Sequence, residues 1–324
     1  MNKLLLLLGL GSVAFASYSN CKMKNENYEE ICEKVVKRGV SYQYANEFLI
    51  SCGKTNETDA KSWKYLHPDK IQTLRKNEKR ANNTLLPHVP RIVKHLKKYK
   101  KVYDYSEKKF GVNREIVAAI LMKETALGKI KLKHDAFRVC NTMVVKNDPK
   151  TPRDEWLMEM GKSNMASIIE HCYKKGIVPG ECNIPSSYAG AVGIPQFMPD
   201  SFIYAQAYKD KFPDLNKMED AIVSVSNFLN VKAGFDTLLE WDKINDIRET
   251  ESEWYNYEQE YKNSSLVYEI NKRDNTKYDC FLCQDAKYTY LRTYAKKIMV
   301  YNNSSNYSIG VIRIGYESHL KLNK

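Results

Sequence analysis

The hydrophobic and polar positions of the chain predict helices and few strands. Residues 28–52 have a helical pattern interrupted at Gly39, and residues 69–109 form a basic helical region broken by two prolines. Regular alternation of apolar and polar residues, which indicates half-buried strands, is scarce. Residues 242–277 are rich in Glu, Asn, Tyr and Lys with weak apolar periodicity, which favours a surface insertion. We therefore expect a mainly α protein.

The most informative helix is predicted within residues 110–128, with Asn113 as its N-cap and Gly128 at its C-terminal end. At about 100° per residue, one face carries an apolar stripe. The stripe consists of Ile116, Val117, Ile120, Leu121 and Leu127. Glu124 falls within this stripe, whereas Lys123 falls on the solvated face.

A carboxyl group in that position is chemically unusual. Burial and the C-terminal end of the helix dipole both disfavour the charged form, so both raise the pKa of Glu124. A carboxyl that keeps its proton near neutral pH is what a general acid for glycosidic cleavage requires. The alternative is a helix-end Glu that bends out to water or pairs with a core Arg.

A second segment, residues 186–202, concentrates small residues and then breaks between Pro195 and Pro199. Four of them permit close backbone approach: Ala189, Gly190, Ala191 and Gly193. Gln196 adds a polar amide beside Phe197. By itself this segment could be a helix crossing that needs small side chains.

Taken together, the two segments resemble the lytic murein transglycosylases of the membrane-bound B type (glycoside hydrolase family 103-like). Their Glu-Thr-x-x-Gly motif corresponds to residues 124–128, and their Ala-Gly-Ala-x-Gly-x-x-Gln-Phe-Met-Pro motif to residues 189–199. Residues 220–228 look like the family's Asp-Ala-Ile-x-Ser-x-x-Asn-Tyr/Phe helix, and residues 298–311 are similar to its Tyr-Asn-x-Ser-x-x-Tyr segment. The four motifs occur in the family's order, and the resemblance extends weakly from about Cys32 to Ile314.

The resemblance implies a lysozyme-like (α+β) transglycosylase domain, which we expect over residues 86–316. A helical N-terminal extension is expected over residues 17–85. Residues 242–277 are then an insertion within the catalytic domain.

By the resemblance, Glu124 is the single catalytic acid/base. It would protonate the oxygen between N-acetylmuramic acid and N-acetylglucosamine, then accept the proton of the muramic acid 6-hydroxyl. That hydroxyl attacks its own anomeric carbon and leaves a 1,6-anhydro end. Because the nucleophile is tethered, its high effective molarity replaces a positioned water, and a second carboxylate is unnecessary. Near the motifs the clearest other acid is Asp200.

Five further positions match residues with which the family lines its sugar groove: Ser187, Gln196, Tyr301, Asn302 and Tyr307. Aromatic faces would stack on pyranose rings, while amides and hydroxyls would bind N-acetyl groups and ring oxygens. For each residue the alternative is a structural role in holding the backbone of its own motif.

We expect neither a metal nor another cofactor. Some family members bind calcium in an acidic loop after the Gln-Phe-Met-Pro motif, but here residues 204–215 lack the D-x-[DN]-x-[DN]-G pattern. The six histidines show no metal-ligand spacing. Cys280 and Cys283 form a lone C-x-x-C, for which structural disulfides are a better interpretation than a redox or zinc site.

The first residues predict export. Lys3 precedes an apolar run of about ten residues, too short for the roughly 20 that span a bilayer. The Ala14–Ala16 segment is a small-x-small cleavage signal, so residues 1–16 are expected to be a signal peptide, with an uncleaved anchor as the alternative. All eight cysteines follow it, an even number that suits the periplasm, although their pairing stays open.

The net charge of the chain indicates which class of binding partner it favours. The chain has 324 residues, with 51 Lys and Arg against 39 Asp and Glu, a formal net charge of +12. Such a chain favours acidic partners. We expect a monomer that acts on peptidoglycan glycan strands and does not bind nucleic acid, with peripheral association with the wall or outer membrane left open. Two other functions stay open: a hydrolytic muramidase on the same scaffold and a non-catalytic peptidoglycan-binding scaffold.

Overall fold

The computed structural model describes residues 21–66, 78–253 and 288–324. Within them the chain is mainly helical, as predicted. The α-helices are α1 (Glu26–Lys37), α2 (Tyr42–Asn46), α3 (Ala60–Leu66), α4 (Glu78–Leu85), α5 (Val89–Lys98), α6 (Lys100–Phe110), α7 (Arg114–Thr125), α8 (Ala136–Val145), α9 (Pro152–Lys174), α10 (Met218–Val231), α11 (Thr289–Met299) and α12 (Ser305–Leu322). A π-helical turn (Glu47–Ser51) follows α2, and short 3₁₀ turns lie at Lys54–Asn56, Leu86–His88, Pro179–Glu181, Pro199–Tyr204 and Trp241–Ile244.

Helix α7 lies at the centre of the core. Its residues from Glu115 to Met122 are all buried, so it is enclosed on every side rather than along one stripe. Helix α12 packs along it, and Gly315 allows this approach because a Cβ there would lie 3.3 Å from Ile116 Cδ1 on α7. The helix that carries Glu124 is therefore held by the core around it.

The helix begins at Arg114 with Asn113 in the predicted N-cap position, but the contact of the Asn113 side chain and the C-terminal end of the helix differ from the prediction. Asn113 precedes the helix, but its side chain makes no cap hydrogen bond. Instead its amide donates to Leu239 O at 2.9 Å and accepts from Leu239 N at 2.7 Å, because a distant loop offers an unpaired peptide group at this point. The helix ends at Thr125, three residues before the predicted Gly128, with Ala126 as its left-handed C-cap.

The small residues of the second motif make the close approaches that their size predicts. A two-stranded antiparallel sheet pairs β1 (His134–Asp135) with β2 (Pro185–Ser186), with His134 opposite Ser186, and leads into this motif. Gly193 has φ +70° and lies so close to Leu215 that a Cβ would be 2.4 Å from the Leu215 Cβ. Only glycine satisfies both the left-handed backbone and the contact.

The N-terminal helices pack against α8 and α9. Tyr28 donates a 2.8 Å hydrogen bond to Asn141, and Lys34 one of the same length to Ser163. Ile31 and Phe48 are fully buried in the same hydrophobic core that contains α7. The expected boundary at residue 85 stays a prediction, but the segment before it shares its core with the segment after it.

Two disulfides link Cys21 to Cys32 and Cys172 to Cys182. Cys52 and Cys140 are free thiols. The predicted signal peptide and the C-x-x-C pair lie outside the described residues. None of the helices in the described part of the chain combines the length and apolar character of a membrane span.

The segment that starts at Asp242 differs from the expected surface insertion. Ile244 and Ile247 are buried in the core, and residues 247–253 are helical. Two apolar residues are enough to anchor this segment in the core, because Ile244 and Ile247 lie three positions apart and so share one face. The remaining residues, 254–277, lie outside the described part of the chain.

Candidate active site

Glu124 lies in the last turn of α7, as the sequence predicts, where its side chain is half-buried. The hydroxyl of Tyr307 donates a hydrogen bond of 2.6 Å to its Oε1. Tyr307 lies in the first turn of α12 and is 2% exposed, so its ring is fixed by packing. A short bond from a buried donor orients the carboxylate. Two residues of the predicted site, 183 positions apart, are thus brought together.

The residue after Glu124 joins the two motifs. Thr125 is buried, and its hydroxyl donates to Ile194 O at 2.8 Å. The same hydroxyl accepts from Gly128 N at 3.1 Å. One side chain therefore fixes both the turn that ends α7 and the backbone of the second motif. This role of Thr125 was not predicted, although the Thr of the first motif was a signal for it.

The turn after α7 has an unusual backbone. Ala126 and Leu127 have φ of 51° and 56°, the left-handed region that costs non-glycine residues about 1–2 kcal/mol each. The guanidinium of Arg91, on α5, donates to the carbonyl of Ala126. This contact and the Thr125 hydrogen bonds hold the strained turn that follows Glu124 in the chain.

Tyr301 forms another side of the site. Its hydroxyl donates to the carbonyl of Pro195, which ties the α11–α12 turn to the second motif. Its ring lies 5.0 Å from the Phe228 ring and 6.0 Å from the Phe197 ring, centre to centre. Burial, with the nearby Glu124 carboxylate, raises the pKa of Tyr301 well above its ordinary value. Tyr301 is therefore a neutral hydrogen-bond donor.

Gln196 lies in a cavity of about 230 Å³ beside Tyr301. Its backbone is left-handed, with φ 55°, and its amide nitrogen donates to Gly193 O at 2.8 Å. The cavity is further lined by Met160, Asn164, Phe197, Met198, Asp200, Ser201, Phe228, Lys232 and Val300. It offers the mixture of aromatic and amide groups that binds sugars.

The two remaining predicted residues, like Gln196, make hydrogen bonds within their own segments. The hydroxyl of Ser187 accepts from Ala191 N at 3.2 Å, so it closes the turn of its own motif. Asn302 lies in the turn after Tyr301, where its carbonyl accepts from Ser304 N at 2.6 Å. The contact of Ser187 corresponds to the structural alternative that the sequence left open. The substrate contacts of both residues stay predictions.

Asp200 shares the Gln196 cavity. Its carboxylate accepts a 2.6 Å hydrogen bond from Ser167, and its backbone N–H donates to Asn164 at 3.0 Å. These contacts hold the carboxylate against α9. It is the acid to test for the hydrolytic alternative.

The loop before α10 is organised by a carboxylate. Asp220 is 2% exposed and accepts hydrogen bonds of 2.8 Å from the backbone of both Tyr208 and Asp214. Within the described residues, no group of three or more His, Cys, Asp or Glu side chains is placed to hold a metal ion. Independence from calcium stays a prediction for experiment.

Lys123 differs from its predicted position on a solvated face. It is half-buried, and its ammonium lies 4.8 Å from the centre of the Tyr307 ring. The helical pattern alone misplaced it because α12 covers the face of α7 that the pattern leaves polar.

Comparisons with known proteins identify the family and the fold of this chain. The sequence profile of the family described as "Transglycosylase SLT domain" matches residues 24–316. A comparison with curated protein sequences found no match. Among solved structures, the Escherichia coli lytic transglycosylase Slt35 in complex with bulgecin A is 18% identical, with a TM-score of 0.60 over 93% of this chain and 95% of that chain.

The complex of Escherichia coli Slt35 with calcium is similar at 17% identity and a TM-score of 0.59, again over 93% and 95% of the two chains. SltB3 from Pseudomonas aeruginosa in complex with NAG-anhNAM-pentapeptide aligns over 65% of this chain and 53% of that chain, at 17% identity and a TM-score of 0.45. The likeness to Slt35 confirms the predicted lysozyme-like helical fold, and the family profile covers most of the chain. The chain therefore belongs to the transglycosylase SLT domain family, the lytic transglycosylases of peptidoglycan.

Proposed function

We propose that this chain cleaves the β-1,4 bond between N-acetylmuramic acid and N-acetylglucosamine, with Glu124 as its acid/base, and leaves 1,6-anhydro ends. The observation that carries this assignment is the 2.6 Å hydrogen bond from Tyr307 to Oε1 of Glu124 at the end of a buried helix. An oriented carboxyl near Tyr301, which lines the cavity of about 230 Å³, suits proton transfer to a bound glycoside.

The contact also separates the two oxygens of the carboxyl. Because the Tyr307 hydroxyl donates to Oε1, the proton of the acid form belongs on Oε2. Oε2 would give this proton to the glycosidic oxygen as the bond to the anomeric carbon breaks. It would then take the proton of the 6-hydroxyl as that oxygen bonds to the anomeric carbon. No water is consumed, and the carboxyl ends in its starting state.

The remaining predicted residues would bind the glycan on this surface. Tyr301 and Gln196 offer an aromatic face and an amide in or beside the 230 Å³ cavity, and Tyr307 holds the acid. Ser187 and Asn302 would contribute from the adjoining turns. The predicted signal peptide and the two disulfides support action in the periplasm. The proposal includes a monomer that acts on peptidoglycan glycan strands and requires no cofactor.

The test is mass spectrometry of muropeptides released from purified sacculi by the wild-type chain and by Glu124→Gln. The amide preserves the shape of the side chain but cannot donate the proton, so only the wild type should release anhydro-muramyl products. Substantial cleavage by Glu124→Gln would show that Glu124 is not the acid/base. Binding to sacculi without any release by the wild type would favour the scaffold function.

Asp200→Asn distinguishes a hydrolase from a transglycosylase. Under the proposal this variant keeps releasing anhydro products, because the second step needs no partner acid. Products with reducing ends from the wild type, lost in Asp200→Asn, would identify a hydrolytic muramidase that uses Asp200.

A further inference from the structure

Lys123, the residue before Glu124, points its charge towards the partner of the catalytic carboxyl. Its ammonium lies 4.8 Å from the centre of the Tyr307 ring, and the Tyr307 hydroxyl donates to Glu124. A cation near the face of a phenol is attracted by the ring. Its positive charge also makes the phenolic O–H a stronger donor. The three side chains therefore form a row: ammonium, phenol and carboxylate.

Asn82 holds the ammonium in this place. It belongs to α4, is 1% exposed, and accepts a hydrogen bond from the Lys123 ammonium through Oδ1. Its Nδ2 donates to Asn306 O at 2.8 Å, one residue before Tyr307. A neutral amide is suited to this position because it accepts from a cation on α7 and donates to a carbonyl on α12.

Gly310 makes room for this amide. A Cβ at Gly310 would lie 2.2 Å from the amide atoms of Asn82. The first turn of α12, α4 and the end of α7 thus meet at one buried amide. A residue of the predicted N-terminal extension reaches the helices that carry both Glu124 and Tyr307.

We infer that Asn82 and Lys123 are positioning residues for Glu124: Asn82 holds the Lys123 ammonium over Tyr307, and the ammonium favours the ionised carboxylate that Tyr307 binds. The inference rests on the proposed function, in which Glu124 exchanges a proton with the substrate. In this inference, Lys123 sets the pH range in which Glu124 keeps that proton.

Among the described residues, the charged and titratable groups that contact Glu124 or the turn after it do not change their charge in this range. The charge of Arg91, on α5, is fixed because a guanidinium does not deprotonate in proteins. Burial and Glu124 hold the pKa of Tyr301 well above its ordinary value, so this phenol stays neutral. Tyr307, on α12, is a buried phenol that donates to the carboxylate. A shift in the pH profile on removal of the Lys123 charge therefore reports on Glu124.

The experiment compares the pH dependence of kcat/KM for anhydro-muropeptide release by the wild type, Lys123→Met, Lys123→Arg and Asn82→Asp. Activity falls at high pH as the acid loses its proton. Loss of the cation beside the Tyr307 ring raises the pKa of Glu124, and with it this alkaline limit, by about one pH unit. Lys123→Met should therefore move the alkaline limb upward and lower kcat with little change in KM. Lys123→Arg keeps the charge and should keep the wild-type limb.

Asn82→Asp has nearly the shape of the native side chain and provides a second route to the same effect. Its carboxylate would neutralise the field of Lys123, so the alkaline limb should move in the same direction as in Lys123→Met. Lys129→Met is the matched control, because Lys129 is exposed on the turn beyond α7. Melting temperatures identify a variant that fails to fold. If one of the Lys123→Met, Lys123→Arg and Asn82→Asp variants does so, the pH profiles of the other two test the inference.

Superimposable pH profiles for the wild type, Lys123→Met and Asn82→Asp would overturn the inference, even if the variants were less active. A purely structural tether would lower stability or activity without moving the limb. The product released by the wild type shows whether only this inference fails or the proposed function fails as well. Anhydro products with unmoved limbs refute only the role of Lys123, whereas reducing-end products or no release refute the proposed function.

Discussion

Replacing Tyr307 by Phe tests the contact on which the catalytic assignment depends. The change removes one hydroxyl from a side chain that is 2% exposed and keeps the ring packed, with the Lys123 ammonium over its face. The lost interaction is the 2.6 Å hydrogen bond to Glu124. A hydrogen bond to a charged group contributes about 1.5–3 kcal/mol. Since 1.36 kcal/mol corresponds to a factor of ten in rate, kcat should fall about 10- to 150-fold.

The assay is the rate of anhydro-muropeptide release from sacculi, with the substrate concentration varied so that kcat and KM are obtained separately. We expect the loss in kcat, because the hydroxyl orients the acid. Tyr294→Phe is the matched control: Tyr294 is also buried, but its hydroxyl donates to Leu238 O at 3.2 Å. A Tyr307→Phe variant with kcat within twofold of the wild type, and an unchanged melting temperature, would refute the reasoning.

Three further predictions concern stability. Calcium or a chelator should leave the melting temperature unchanged, because Asp220 is already engaged by the backbone of its loop; a clear shift would show that the loop binds the ion. Gly193→Ala should lower the melting temperature far more than Gly176→Ala, because both glycines have positive φ but a Cβ has open space only at Gly176; equal losses would contradict the crowding at Leu215. Burial, with Lys98 and Arg91 nearby, lowers the pKa of His95 from 6.5 to about 4. The unfolded chain therefore takes up that proton first, and the free energy of unfolding should fall between about pH 6.5 and pH 4. His95→Gln should reduce this pH dependence of the free energy of unfolding, measured by urea titrations at several pH values. An unchanged slope of that free energy against pH would contradict the role of His95.

The predictions that the structure confirmed depend on local sequence. The helical class, the position of Glu124 in a last helical turn and the close approach at Gly193 follow from residue spacing, from side-chain size and from backbone preference. These properties act over a few residues, so they are visible in the sequence. The family resemblance also predicted the fold, because the motifs that carry it are short segments with the same local requirements.

The features that the sequence misplaced depend on distant contacts. The helical pattern alone put Lys123 on a solvated face, yet α12 covers that face and brings Tyr307 to it. Asn113 pairs with Leu239, 126 residues away, and so does not cap its helix. Residues after Asp242 contribute Ile244 and Ile247 to the core, which their weak periodicity did not indicate.

By itself, the sequence determined which helix carries Glu124, and it predicted that this carboxyl carries the chemistry. Only the tertiary structure decided what surrounds Glu124: a phenol 183 residues later in the chain, a lysine held by a buried amide, and a turn tied to the second motif. The physical reason is that periodicity and motif spacing report the conformation of neighbouring residues. Hydrogen bonds and charges at a site instead depend on how separate helices pack.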